Sequence, residues 1–254
     1  MRKECLSSSA QCFHLEFVVE TMQNFQFLPG QFVSVVANDH DGKEQTRAYS
    51  IASAHNGNRF DLCLNRVPSG FVSNLLCDLA NGETVQIYGP NGFFTLREPI
   101  TDLILVATGT GVAPMRGFAQ WLFPCNGSDR SAGKQIWLVY GTRHESELYY
   151  REEFETLAAS CPNFHYLPTL SRADEGWLGL HGYVQDHAAR IIELRAAPLG
   201  FSRHSAVEET SGAAPDHFEM YAYVCGLNRM ITSVRERLKG LGWHRKQIIA
   251  ERYD

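Results

Sequence analysis

Leu103-Ile104-Leu105-Val106-Ala107 is an unbroken apolar run, and Thr108-Gly109-Thr110-Gly111-Val112-Ala113-Pro114 follows it directly. A strand with no polar face is covered on both sides, as a parallel strand in an α/β sheet is. Glycines straight after it, ahead of a helix-like stretch over 115–123, let backbone N–H groups approach an anion at a helix N-terminus. The chain then alternates: strand over 135–140, helix over 146–159, strand over 163–168, a short helix near 183–195, strand over 220–224 and helix over 227–240. Such alternation predicts a doubly wound parallel α/β sheet.

The first third has a different rhythm. His14 to Val19 and Gln31 to Val36 are short runs rich in β-branched and aromatic residues, separated by Leu28-Pro29-Gly30. Arg47 to Ala52, Phe60 to Arg66 and Thr84 to Tyr88 continue at the close spacing of an antiparallel barrel or sandwich. Between them, apolar residues at 71, 72, 75, 76 and 79 predict a short helix over Gly70 to Leu79. The expected organisation is an N-terminal antiparallel β-barrel over 1–98 and a nucleotide-binding α/β domain over 99–254, with the boundary near Arg97-Glu98-Pro99. Residues 197–217 are turn-rich and aperiodic, and read as a long surface loop.

Composition narrows the function classes. In 254 residues, 44% are hydrophobic, enough for packed cores rather than disorder. The net charge of −5, with no run of Lys and Arg longer than two, disfavours a nucleic-acid surface. No apolar stretch reaches the roughly 18 residues of a membrane span, and Met1-Arg2-Lys3-Glu4-Cys5 is not followed by a signal-type apolar run. The expectation is a soluble cytoplasmic protein. Its seven cysteines, at 5, 12, 63, 77, 125, 161 and 225, are widely spaced without a CxxC pair, which disfavours zinc and iron–sulfur sites and leaves most of them as core thiols. No metal is expected.

Three segments carry chemistry, each with an ordinary alternative. The turn at 108–114 is a G-x-G-x-x-P pattern without the third glycine of the dinucleotide fingerprint, and is also compatible with a plain strand-to-helix turn. Tyr221 to Met230 places Cys225 and Gly226 at a later strand end, where open α/β sheets bind ligands; there Cys225 either faces the crevice of Thr110 or is a buried structural thiol. Arg47-Ala48-Tyr49-Ser50 combines a fixed guanidinium fork, a flat ring and a hydroxyl. By itself it also fits an exposed arginine beside a half-buried tyrosine.

The order of the motifs is more specific than any one of them. Arg47-x-Tyr49-Ser50, Gly70-Phe71-Val72-Ser73, Gly89-Pro90-Asn91-Gly92-Phe93-Phe94, Gly109-Thr110-Gly111-Val112-Ala113-Pro114, Tyr223-Val224-Cys225-Gly226-Leu227 and Glu251-Arg252-Tyr253 occur in one sequence. This order resembles the ferredoxin–NADP reductase family, from about residue 12 to the end. The resemblance implies FAD on the barrel and NAD(P)H on the α/β domain. It implies Arg47 on the FAD pyrophosphate, Ala48 beside it, Tyr49 stacked on the flavin, and Ser50 near the ring nitrogen that receives hydride. Gly70, Val72 and Ser73 would be a second pyrophosphate clamp, and Thr110, Gly111 and Pro114 would border the nicotinamide nucleotide.

The same resemblance implies that Cys225 and Gly226 lie near the nicotinamide and that Glu251 and Tyr253 belong to a terminus whose ring shields the flavin. Here Asp254 follows, so the aromatic is penultimate. Ser50, Cys225, Glu251 and Tyr253 are thus the expected catalytic residues. Ser171-Arg172 is similar to the NADP-selective members, with Arg143 a further cation, whereas Trp177 to Gly182 resembles NADH-using oxygenase reductases. The implied activity is transfer of hydride from NADPH, with NADH as the alternative, to FAD and then of single electrons to a separate ferredoxin or flavodoxin. Alternatives are the NADH-dependent reductase component of an oxygenase or hydroxylase, a non-catalytic flavin relay subunit, and a flavin-free dehydrogenase. A monomer or weak dimer is expected.

Overall fold

The computed structural model describes residues 2–196 and 218–253; the loop expected over 197–217 lies outside them. Two compact units emerge. The first comprises Met1–Arg97, Thr110–Arg130 and Tyr149–Arg151, and the second Glu98–Gly109, Ser131–Leu148 and Glu152–Asp254.

The first unit is built on β1 (Arg2–Ser7), β2 (Cys12–Val18), β3 (Phe32–Asn38), β4 (Glu44–Ser50), β5 (Arg59–Asn65), α1 (Phe71–Asp78) and β6 (Gln86–Asn91). They form two antiparallel three-stranded sheets, β1-β2-β5 and β4-β3-β6, joined by an antiparallel bridge between Ile51 and Leu62. Leu15, Val33, Val35, Ile51, Phe60 and Leu62 fill the core between them, and α1 adds Val72 and Leu76. β1 was not expected. Arg2 to Glu4 are exposed and show no alternation, so only pairing with β2 orders them. Lys3 Nζ then donates to the carbonyls of Cys77 and Leu79, closing the C-terminus of α1.

The apolar run over 103–107 is β7 (Asp102–Thr108), followed by a 3-10 turn at Gly109–Gly111 and by α2 (Val112–Leu122). The helix begins earlier than its apolar spacing suggested, because Pro114 lies within the first turn, where no N–H is needed. The remaining elements are β8 (Ile136–Thr142), α3 (Arg151–Ser160), β9 (Phe164–Leu170), β10 (Leu180–His181), α4 (Val184–Ala196), β11 (Met220–Gly226), α5 (Asn228–Gly240) and β12 (Ile248–Arg252). The helix expected over 146–159 is split: a 3-10 turn at Glu145–Glu147 precedes α3, and Tyr150, at φ 59°, interrupts the helical path between them.

The second unit's sheet has the order β10-β9-β8-β7-β11-β12, with every neighbouring pair parallel. From β7 the chain steps outward through β8 and β9 to β10, and later returns to β7's other side with β11. That reversal puts the topological switch point between β7 and β11, where sheets of this class bind ligands beyond the strand ends.

Candidate functional site

In the first unit, β4 carries Arg47-Ala48-Tyr49-Ser50 beside β3, with Val35 opposite Arg47 and Val33 opposite Tyr49. Arg47 and Ala48 are exposed, Tyr49 is half-buried against the barrel core, and Ser50 is buried. Burial, and next the Cys77 thiol, push the Tyr49 phenol up to about 12, so it stays neutral and offers a partly open ring face. Helix α1 packs against β3 and β4. Its first intrahelical bond runs from Asn74 N–H to the Gly70 carbonyl at 3.1 Å. The N–H groups of Phe71, Val72 and Ser73 therefore precede the helical ladder and are the natural anion donors.

Ser73 serves by its backbone alone. Its hydroxyl accepts from Val67 N–H at 3.2 Å and donates to the Gly70 carbonyl at 3.1 Å. A Cβ at Gly70 would lie 2.6 Å from that hydroxyl, so the cradle excludes any side chain there. An exposed guanidinium on β4 and a bare, glycine-led N-terminus on the helix packed against that strand fit a diphosphate.

In the second unit, Gly109 ends the strand at φ 54°, with nothing within 4 Å of where a Cβ would stand. Across the switch point, Gly226 has φ 148°, and a Cβ there would lie 2.5 Å from Thr108 Oγ1 and 2.8 Å from Met230 Cε. Thr108 Oγ1 is buried without a hydrogen-bond partner among the described residues. An orphaned hydroxyl at the strand ends suits a polar nucleotide group that completes its bonding. Thr108 was missed in the sequence, as was Tyr140, whose buried hydroxyl donates toward the Gly109 carbonyl at 3.1 Å and lies 3.2 Å from the Glu147 carbonyl. A tyrosine in an apolar strand reads as core, and nothing local signals what its hydroxyl reaches.

Cys225, Glu251 and Tyr253 come together as a cluster. The β11–β12 register sets Cys225 opposite Glu251, and Tyr253 N–H donates to the Gly226 carbonyl at 3.2 Å. Burial, and then the Glu251 carboxylate, push the fully buried Cys225 thiol well above its ordinary range, opposed by the Tyr253 side chain's hydrogen bond. The sulfur is therefore a neutral S–H and not a thiolate nucleophile.

At the ends of β8 and β9 the ladder continues into the loops. Ser171 N–H donates to the Thr142 carbonyl at 3.0 Å, and Arg172 N–H to the Arg143 carbonyl at 2.9 Å. Ser171, Arg172 and Arg143 are all exposed, and neither guanidinium has an ion-pair partner among the described residues. Of the remaining expected residues, Thr110 is half-buried in the 3-10 turn, Gly111 is buried at its end, and Pro114 is buried in α2.

Comparison with known proteins matches residues 1–96 to the oxidoreductase FAD-binding domain family and residues 105–236 to the oxidoreductase NAD-binding domain family. The ferredoxin–NADP reductase B of Sorangium cellulosum (strain So ce56) is 38% identical over 234 residues, which span 91% of this chain and 86% of that protein. The chain belongs to the ferredoxin–NADP reductase family. It is an oxidoreductase carrying FAD-binding and NAD-binding domains, which removes the flavin-free reading. The glycine betaine monooxygenase reductase subunit of Pseudomonas aeruginosa (strain UCBPP-PA14) is 29% identical over 224 residues, 86% of this chain but only 54% of that longer protein. The solved ferredoxin–NADP+ reductase from Plasmodium falciparum with 2'P-AMP shares the fold, with a TM-score of 0.75 at 22% identity over 99% of this chain and 94% of that one. Among the described residues of this reductase, no helix is long and apolar enough to cross a membrane.

Proposed function

We propose that this reductase uses NADPH to drive single-electron delivery to a separate ferredoxin or flavodoxin, with residues 1–98 holding FAD and 99–254 the nucleotide. The exposed Ser171, Arg172 and Arg143, tied at 2.9 Å through the backbone of the two arginines, carry the choice of NADPH. Two guanidiniums without ion-pair partners among the described residues, and a hydroxyl, at the ends of adjacent strands suit the dianionic 2′-phosphate. Bound flavin supplies the chemistry that couples a two-electron hydride donor to one-electron carriers.

The residues of the chain do the rest. Arg47 and the first amides of α1 bind the FAD diphosphate, Tyr49 orients the ring system, and Ser50 holds a hydrogen bond at its edge. Thr108 Oγ1, Gly109 and Gly226 receive the nucleotide at the switch point. Cys225 keeps its proton and presents a small, soft surface to the nicotinamide, while Glu251 and Tyr253 fix the strand end beside it and keep water out.

Anaerobic mixing of the holoprotein with each nucleotide tests the reading directly. Bleaching of the visible flavin band is expected to be at least ~10-fold more efficient with NADPH than with NADH, the difference of roughly one charge-assisted hydrogen bond. The reverse preference would favour the second reading, the reductase component of an oxygenase system. That reading draws on the monooxygenase reductase relative and on the Trp177–Gly182 segment, in which Trp177 is buried and its indole N–H donates to the Leu180 carbonyl at 2.9 Å. Replacing Cys225 by alanine is expected to slow hydride transfer about 10-fold, near 1.4 kcal/mol of barrier, and to leave FAD affinity unchanged. Unaltered single-turnover bleaching would make Cys225 a core thiol.

A further inference from the structure

A polar and thiol-rich cluster in the first unit takes no part in the proposed chemistry. The β2–β5 register pairs Cys12 with Asn65, His14 with Cys63 and Glu16 with Asp61, so alternate residues of both strands share one face. On that face the Cys12 and Cys63 sulfurs lie 3.7 Å apart, both buried and both reduced. The Tyr150 hydroxyl lies 2.9 Å from His14 Nδ1, and the Tyr149 hydroxyl accepts from Asn65 Nδ2 at 3.4 Å. Arg116, from α2, lies with its guanidinium 4.6 Å from the Tyr150 ring centre and 2.9 Å from Asp61.

The two thiols are not equivalent: Cys63 keeps a small exposed surface and Cys12 none. Cys63 also lies two residues along the same strand face from Asp61, which holds Arg116 at 2.9 Å. The hydrogen-bonded Cys12 thiol is the largest influence lowering the Cys63 pKa; burial opposes it, while Tyr150 and Arg116 add to it. Cys12 is raised, first by burial and then by Cys63 itself. A cavity of about 450 Å³ is lined by Glu16, Ser53, Arg59, Asp61 and Gln120 among others. Asp61, on the wall of that cavity, is two residues from Cys63 on the same strand face.

We propose that Cys63 and Cys12 are a peroxide-reactive dithiol, with Cys63 attacking and Cys12 resolving. The Cys63 sulfur attacks one oxygen of hydrogen peroxide, the O–O bond breaks, and the departing hydroxide takes a proton to become water. Cys63 is left as a sulfenic acid. The Cys12 sulfur then attacks the Cys63 sulfur, the S–O bond breaks, and the hydroxyl leaves as a second water with the Cys12 proton. Two thiols are oxidised to one disulfide and one peroxide is reduced to two waters. Arg116, held by Asp61, adds a positive charge that favours the Cys63 thiolate. Closure brings the sulfurs from 3.7 Å to the roughly 2.05 Å of a disulfide, across diagonal positions of two neighbouring strands, so it draws β2 and β5 slightly together.

The test uses FAD-loaded protein with oxidised flavin and no nucleotide, exposed to one to a few equivalents of hydrogen peroxide, then alkylated in denaturant and mapped by mass spectrometry. The free-thiol count is expected to fall from seven to five, with the loss located in a Cys12–Cys63 cross-linked peptide that dithiothreitol reverses. In Cys12→Ser, dimedone should trap a sulfenic acid on Cys63; in Cys63→Ser, Cys12 should remain reduced. Should either variant fail to fold, the wild-type peptide map decides alone. Full alkylation of Cys12 and Cys63 after treatment overturns the proposal, as does oxidation confined to the exposed Cys5 and Cys125.

Discussion

Replacement of Gly30 by alanine is expected to destabilise the first unit by on the order of 3–5 kcal/mol, enough to leave little soluble protein. Gly30 sits at φ 89° in the turn before β3. A Cβ there would overlap the Phe94 carbonyl oxygen and stand 2.8 Å from two carbons of the Phe118 ring. The backbone oxygen cannot rotate away, and Phe118 is fully buried and packs, tilted, with its ring centre 5.6 Å from that of Phe94, so neither neighbour has room to yield. Gly42 supplies the control. At φ 75°, with nothing within 4 Å of the added carbon, Gly42→Ala carries only the dihedral strain of about 1–2 kcal/mol. Urea unfolding of both variants separates strain from overlap. Equal midpoints for the two would show that the turn relaxes freely and that the Phe94–Phe118 contact is not a constraint.

The parts legible in the sequence were those whose signal is local. The β7 run, its glycines and α2 are consecutive, so hydrophobic patterning and turn chemistry suffice to place Thr110 and Pro114 at the start of a helix. Cys225 and Glu251 are 26 residues apart in sequence, yet fall opposite one another because β12 pairs with β11 in parallel; the resemblance to a known family brought them together before the sheet order did. What escaped notice depends on register. Arg2 to Glu4 are too polar to announce a strand. The helix break at Tyr150 follows from a positive φ that no residue nearby advertises. The Cys12–Cys63 pair, read as ordinary core thiols, gathers residues from two strands, α2 and the segment before α3, and only the β2–β5 alignment shows that they share a face.

The same dependence on register makes Arg172 the sharpest test of nucleotide choice. Arg172 follows β9 and Arg143 follows β8, 29 positions earlier in the chain, and the bond from Arg172 N–H to the Arg143 carbonyl at 2.9 Å holds their backbones side by side. With both guanidiniums exposed and free of ion pairs among the described residues, their electrostatic work is available to a bound anion. A hydrogen bond to a charged group is worth about 1.5–3 kcal/mol. Arg172→Ala is therefore expected to lower kcat/KM for NADPH roughly 10–100-fold, through KM, and to leave NADH within about twofold. The double variant Arg143→Ala/Arg172→Ala should show less than the sum of the single losses, because both cations face one phosphate. The NADPH advantage should also shrink as salt rises, since exposed charges are screened over about 8–10 Å near physiological ionic strength. Steady-state kinetics with both nucleotides at two salt concentrations measure all three effects. Equal losses with NADPH and NADH would instead assign Arg172 to the diphosphate or to the loop's own stability, and would move the basis of nucleotide choice away from the ends of β8 and β9.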